Sequence, residues 1–153
     1  MRTVYLIRHG HPDFPFGAHM CLGRTDLPLG PLGRMQSCLL GEALKDTGLT
    51  AVYSSPLSRC LETAAPLGVK PVVIDALAEQ NMGIWDGLDF QEIRERWPSL
   101  YAKRAENPLL VPPGAEELAQ VQARVLPAVE DCLREGDGTV AIVAHASVIQ
   151  ALL

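Results

Sequence analysis

The sequence predicts an α/β fold, a mainly parallel sheet with helices on both faces, and three observations carry that prediction. Short continuous runs of Val, Ile and Leu recur along the chain, as expected of strands buried on both faces rather than on one. Segments of helical period separate them, long enough for the crossovers that parallel strands require. Residues able to do chemistry follow the runs directly: Arg8-His9-Gly10 after Val4-Tyr5-Leu6-Ile7, and His145 after Val140 to Ala144. In open α/β sheets such positions converge on a crevice beyond the carboxyl ends of the strands, so function is sought there.

Thr3 to Ile7 reads as the first strand. The Pro/Gly-rich stretch Pro12 to Pro31 is too long for an ordinary connection and is expected to wall a pocket. Leu32, Met35, Leu39 and Ala43 fall at helical spacing and predict the inward face of a helix ended near Gly48. Ala51 to Ser54 is the second strand. Ser55-Pro56 is expected to cap the next helix, whose apolar positions are Leu57, Leu61, Ala64 and Ala65.

Pro71 to Ile74 reads as the third strand, and Asp89-Phe90-Gln91-Glu92 has the form of a capping box opening a helix through Ile93 and Trp97. Asn107 to Gly114 is a proline-rich connector. Leu118, Val121, Val125 and Val129 mark a further amphipathic helix, which Pro127 is expected to kink because its ring removes a backbone donor. Gly136-Asp137-Gly138 then turns the chain into the fourth strand.

At 153 residues, 48% hydrophobic and 20% charged, residues 1–153 fit one domain with a sizeable core. A formal charge of −5 excludes the basic surface that nucleic acid or an anionic membrane would demand, yet leaves room for a small anionic substrate beside a few arginines. Cys21, Cys38, Cys60 and Cys132 form no metal-ligand spacing and are expected to pack as small apolar groups. The N-terminus has no signal-peptide core, so a reduced, cytoplasmic protein is expected. Trp85 and Trp97 read as packing residues.

Arg8 and His9, Arg59, Glu79 and His145 follow the four strands in turn. Guanidinium forks match phosphate oxygens, a neutral imidazole can attack phosphorus, and a protonated carboxyl can deliver a proton to a leaving oxygen. The set suits phosphoryl transfer. Arg59 also falls in the first turn of its helix, where free backbone donors favour an anion.

"YLIRHG", "YSSPLSRCLETA", "LAEQNMGIWDG" and "AIVAHASVIQALL", with "CLGRTDLPLGPLGRMQ" and "PPGAEEL" among them, resemble the histidine phosphatase superfamily, the phosphoglycerate-mutase-like family, and within it the phosphatase branch that includes alpha-ribazole phosphatases. The resemblance implies that His9 is the nucleophile, that Arg8, Arg59 and His145 surround the phosphate, and that Glu79 is the general acid and base. It implies no metal and no cofactor. His11, Gly23, Arg24 and Ala146 are the further pocket positions. Arg24 is read as a substrate contact or, in preference, as a tie of the long loop to Asp26.

The chain departs from the family at Ala146, where glycine is frequent, and at His11-Pro12-Asp13-Phe14. Phe14, Phe16 and the run through Cys21 predict an apolar mouth suited to an organic leaving group. The chain ends at Leu153, short of the family's C-terminal elements, so an unpaired sheet edge and self-association through it are expected. Three functions follow. One is hydrolysis of a small organic phosphomonoester, such as alpha-ribazole phosphate. Another is a mutase-type isomerisation, for which the stretch from His11 to Cys21 lacks spare lysines or arginines. The third is phosphate binding without catalysis.

Overall fold

The computed structural model describes residues 2–135 and 138–153. Its sheet comprises β1 (Thr3–Arg8), β2 (Leu49–Ser54), β3 (Val72–Val73) and β4 (Thr139–Ala144), in the order β1-β4-β2-β3 with every pair parallel. The α/β class with helices on both faces is therefore the observed one.

The last strand in sequence lies inside the sheet, and Val140 through Ala144 are buried. That explains its unbroken apolar run. Register then sets the site. Arg8 pairs with Ala144, while Ile7 and Ser54 both stand beside Val143. The next residues stay in line, because His9 N–H donates to the Ala144 carbonyl at 3.0 Å and Ser55 N–H to that of Val143 at 3.0 Å. His9, Ser55 and His145 thus leave the sheet side by side.

α1 (Pro31–Leu44) and α2 (Ser58–Ala64) cover one face, where Cys60, Ala64, Leu40 and Leu44 meet Ile7, Val52, Ala141 and Val143. α5 (Leu118–Glu135) and α6 (Ala146–Leu152) cover the other with Val121, Val125, Val129, Val148 and Ala151. Burying one such valine contributes about 1.5–3 kcal/mol, so the regular face of α5 is a principal holdfast. α3 (Phe90–Arg96) and α4 (Pro98–Glu106) join a smaller cluster of Cys21, Met82, Trp85 and Ile93, packed by Trp97, Leu100 and Tyr101. Both tryptophans are packing residues, as expected.

The expected inward face of α1 is its outward one. Leu32, Met35 and Leu39 are 47%, 56% and 64% exposed, and Ala43 is exposed too, whereas Gly33, Ser37 and Gly41 are buried. Close backbone approach drives the choice. A Cβ on Gly33 would stand 2.1 Å from the His11 carbonyl oxygen, and Ser37 Oγ donates to the Glu62 carbonyl at 3.0 Å. A seam of small residues has no apolar moment and leaves no mark on hydrophobic periodicity.

Ser55 is not the cap of α2. The helix starts at Ser58 after Leu57, and Asp26 takes the Ser58 N–H at 2.8 Å. Trp97 lies outside α3, since Pro98 disfavours helical backbone at the residue before it and opens α4. Asp89 caps α3 by accepting from Gln91 N–H at 2.7 Å, while Glu92 pairs with Arg96 at 2.8 Å instead of completing the box. α5 continues through Pro127. Gly48, at φ +71°, turns the chain from α1 towards β2. Of the expected turn Gly136-Asp137-Gly138, the first two residues lie outside the described residues. Gly138 takes φ +88°. Cys38 is exposed, unlike the other three cysteines.

Candidate active site

A cavity of about 600 Å³ opens beyond the carboxyl ends of the strands. Arg8, His9, Glu79 and Ala146 line it, as do His11, Gln36 and Arg104, and Met20, Cys21, Leu22, Met82 and Phe90 form an apolar wall. Much of that wall comes from the long loop, as expected. Phe14 contributes, but Phe16 is turned fully to solvent.

His9 Nδ1 lies 2.7 Å from the Gly10 carbonyl oxygen. A carbonyl only accepts, so Nδ1 carries the proton and the lone pair resides on Nε2. Burial, reinforced by the charges of Arg59 and Arg8, pulls the His9 pKa down to about 4 despite the bond to Gly10. The ring is a neutral base with its nucleophilic nitrogen defined. Gly10 N–H donates to Thr63 Oγ1 at 2.9 Å, which ties the strand end to α2.

Arg59 and His145 are fully buried behind this surface. The Arg59 guanidinium donates to the carbonyls of Thr25 and Gly23, each at 2.9 Å, and its buried Nε has no partner. An orphaned donor of this kind costs about 1–3 kcal/mol, which a bound anion would offset. The His145 ring meets that of His9 edge-on at 5.1 Å between centroids, and Ser55 Oγ stands 2.7 Å from its Nε2. Burial, then Arg59 and His9, depress its pKa to about 2, so it too is neutral.

Glu79 is buried, and burial raises its carboxyl pKa against the opposing bonds from Gln80 and Ser147 and the charge of Arg59. Its segment is held with unusual completeness. Arg124 of α5 donates to the carbonyls of Ala76, Ala78 and Glu79 at 2.5, 2.8 and 3.2 Å and pairs with Glu116 at 2.9 Å. Arg24 Nε donates to the Glu79 carbonyl at 2.6 Å, with its other end 3.5 Å from Glu116. Burial pushes the Glu116 carboxyl up, but bonds from Arg124 and Asn81 outweigh it and hold the group ionised.

The predicted residues separate into two shells. Arg8, His9, Glu79, His11 and Ala146 face the cavity, whereas Arg59, His145 and Gly23 are buried and Arg24 is exposed, all four outside its lining. Gly23 is needed there because a Cβ would lie 2.5 Å from the Gln80 carbonyl oxygen. Arg24 does tie the loop, but to Glu79 and Glu116 rather than to Asp26. The loop's main clasp is Asp86, which accepts from the N–H groups of Gly23, Arg24 and Thr25 at 3.1, 2.6 and 3.1 Å and from Thr25 Oγ1 at 2.8 Å. Sequence reasoning missed Ser55, Asp86, Arg104 and Arg124. "WDG", with an acid and a glycine side by side, was the one local signal for Asp86. Among the described residues, no group of three or more His, Cys, Asp or Glu is arranged to hold a metal ion, and no helix is long and apolar enough to cross a membrane.

Residues 4–153 match the sequence profile of the histidine phosphatase superfamily, branch 1, and the chain belongs to that family. Glucosyl-3-phosphoglycerate phosphatase of Mycolicibacterium vanbaalenii is 31% identical over 99% of this chain and 72% of its own length. A solved mycobacterial glucosyl-3-phosphoglycerate phosphatase superposes with a TM-score of 0.87 at 30% identity, covering 99% of this chain and 77% of that one. Phosphoserine phosphatase 1 of Hydrogenobacter thermophilus is 31% identical over 99% of this chain and 74% of its own. An Escherichia coli structure proposed as an alpha-ribazole-5'-P phosphatase is 20% identical with a TM-score of 0.83, over 97% of this chain and 76% of that one, and shares the fold. Family and named relatives support a phosphatase.

Proposed function

We propose that the chain hydrolyses a small organic phosphomonoester through a phosphohistidine on His9, without a metal. The observation that carries this reading is the His9 imidazole, neutral, with its proton committed to Gly10, Nε2 left as nucleophile and the charges of Arg59 and Arg8 acting on the ring. Nε2 forms a bond to phosphorus as the bond to the alcohol oxygen breaks, and protonated Glu79 gives its proton to that oxygen. Glu79, now a carboxylate, takes a proton from a water whose oxygen attacks phosphorus. The N–P bond breaks, its electron pair returns to Nε2, and inorganic phosphate leaves. Arg8 and Arg59 spread positive charge around the equatorial oxygens, where phosphoryl transfer gains most of its rate. The unpartnered Arg59 Nε supports an anion at this place.

The apolar wall of Met20, Leu22, Met82 and Phe90 suits an organic leaving group. Glucosyl-3-phosphoglycerate, phosphoserine and alpha-ribazole phosphate are the first substrates to assay. A cytoplasmic location belongs to the same reading and is supported by the four cysteines that form no disulfide, as a reducing compartment would keep them. His9→Ala is expected to abolish turnover and the acid-labile phosphoenzyme that labelled substrate leaves on the native chain. Activity that survives the change, or that a chelator removes and magnesium restores, overturns the mechanism. Transfer between the carbons of phosphoglycerate faster than hydrolysis overturns the hydrolase reading.

A further inference from the structure

We infer that Ser147 and Gln80 are positioning residues for the proton of Glu79: the Ser147 hydroxyl donates to Gln80 while Glu79 holds its proton, and turns to the Glu79 carboxylate once that proton has passed to the leaving alcohol. The inference rests on the phosphatase reading above and adds two residues to the handling of its acid.

Gln80 follows Glu79 and is 4% exposed, so its side-chain amide must find partners inside the protein. Its Nε2 lies 2.6 Å from the Glu116 carbonyl oxygen. A carbonyl only accepts, which fixes the nitrogen on that side and leaves Oε1 on the other. The Glu116 backbone is held in turn, because its N–H donates to the Asn81 carbonyl at 2.9 Å and its carboxylate takes the Asn81 N–H at 2.7 Å. Ser147 Oγ stands 3.0 Å from Gln80 Oε1. Oε1 can only accept and a hydroxyl has one proton, so that proton is given to Gln80.

Ser147 is the second residue of α6, whose Val148 and Ala151 pack in the core. It lines the cavity beside Glu79, Gln80 and Ala146, with its N–H and its O–H both within bonding reach of the Glu79 carboxyl. One hydroxyl therefore has two acceptors, and the charge on Glu79 decides between them. A hydrogen bond to a carboxylate is roughly twice as strong as one to a neutral amide oxygen, so ionised Glu79 wins the proton that protonated Glu79 leaves to Gln80. Rotation of the hydroxyl is the whole movement. The reaction needs it, since Glu79 gives a proton in the first step, takes one from water in the second and is a buried carboxylate in between.

α6 carries no charged residue. The groups facing Glu79 come from other elements. Arg59 of α2 acts on the carboxyl, while Arg24 and Arg124 are spent on its backbone carbonyl and on Glu116. Arg8, His9, His11 and Arg104 share the cavity, His145 is neutral behind it, and burial pushes the thiols of Cys21 and Cys60 up to about 11 and about 12. All of them are common to the variants below, so differences between variants report on the hydroxyl.

The test follows the alkaline limb of the kcat/KM profile, where Glu79 ionises, in the native chain, Ser147→Ala, Gln80→Met and the double variant. Ser147→Ala removes a donor to the carboxylate, so the limb is expected to rise by about one pH unit, as loss of a hydrogen bond to a charged group implies. Gln80→Met removes the competing acceptor and is expected to lower it. The double variant should match Ser147→Ala, because Gln80 acts only through the hydroxyl, and Ser147→Thr should keep the native limb. A midpoint is insensitive to the fraction of protein folded. Shifts of the same sign, an unmoved limb, or a Gln80→Met shift that persists without Ser147 overturns the inference. Carbon-13 NMR titration of the glutamate carboxyls, with the Glu79 signal assigned by its loss in Glu79→Gln, reads the same shifts without turnover. A native chain inert towards every phosphomonoester would sink the phosphatase reading, and the NMR titration would still decide the role of Ser147 and Gln80.

Discussion

A histidine attacks phosphorus only while a ring nitrogen keeps its lone pair, and the pH range over which it does so is set by its surroundings. Burial and two neighbouring guanidiniums pull His9 down to about 4. Glu79 is moved the other way by its own burial and so keeps its proton above the ordinary carboxyl range. The two shifts are complementary, because the reaction needs the base unprotonated and the acid protonated in the same molecule. The free enzyme should therefore show a bell-shaped kcat/KM profile. Its acid limb is expected near pH 4 rather than near 6.5, since protonation of Nε2 is what ends activity, and its alkaline limb follows ionisation of Glu79. Glu79→Gln is expected to flatten the alkaline limb and to slow an alkyl phosphate by ~100–10,000-fold more than nitrophenyl phosphate, which needs no proton on its leaving group. An acid limb at 6.5, or equal losses on both substrates, would remove proton transfer from the account.

Among the elements, the long loop shows how an irregular segment becomes a fixed wall. Asp86 accepts four hydrogen bonds from Gly23, Arg24 and Thr25, and the carbonyls of Gly23 and Thr25 in turn hold Arg59. Burial alone would raise the Asp86 carboxyl, but these bonds hold it below its ordinary value. Removing the carboxylate leaves backbone donors unpaired and frees the carbonyls that orient Arg59. Asp86→Ala is thus expected to cost ~1–3 kcal/mol in urea unfolding and to lower kcat as well. Leu39→Ser on α1 provides the contrast. Leu39 belongs to the apolar stripe that faces solvent, so its replacement should stay within about 0.5 kcal/mol of the native chain. A large loss at Leu39 would show that this stripe is covered in solution.

For the whole molecule, strand order decides which edges are open. Among the described residues, β4 and β2 are paired on both sides, while β1 and β3 form the two borders. β3 has two residues, but β1 has six, with Val4 exposed, and a strand of that length offers a usable template for another chain. We propose that the chain self-associates through β1. Light scattering should report a mass above that of the monomer, and Val4→Lys should reduce it, since an edge lysine opposes strand pairing. A native chain that is monomeric at all concentrations would refute this.

The alternation of apolar runs with helical segments was enough to determine the class, the parallel pairing and the residues at the strand ends, because each is a local property of composition and period. Arg8 and His9 were legible because they stand where β1 stops, whereas β3 is two exposed residues and Glu79 lies six residues beyond it, so Glu79 was legible through its motif rather than through a buried strand. The order β1-β4-β2-β3 was not legible, since pairing depends on which runs are covered on both faces. Nor was the orientation of α1, whose seam of Gly33, Ser37 and Gly41 is chosen by how closely two backbones approach. α4 was missed because Trp97-Pro98 reads as an ending and is also a beginning. Tertiary structure alone placed Arg104 in the cavity and Arg124 behind Glu79. Both lie far along the chain from the residues they serve, and only packing brings such positions together.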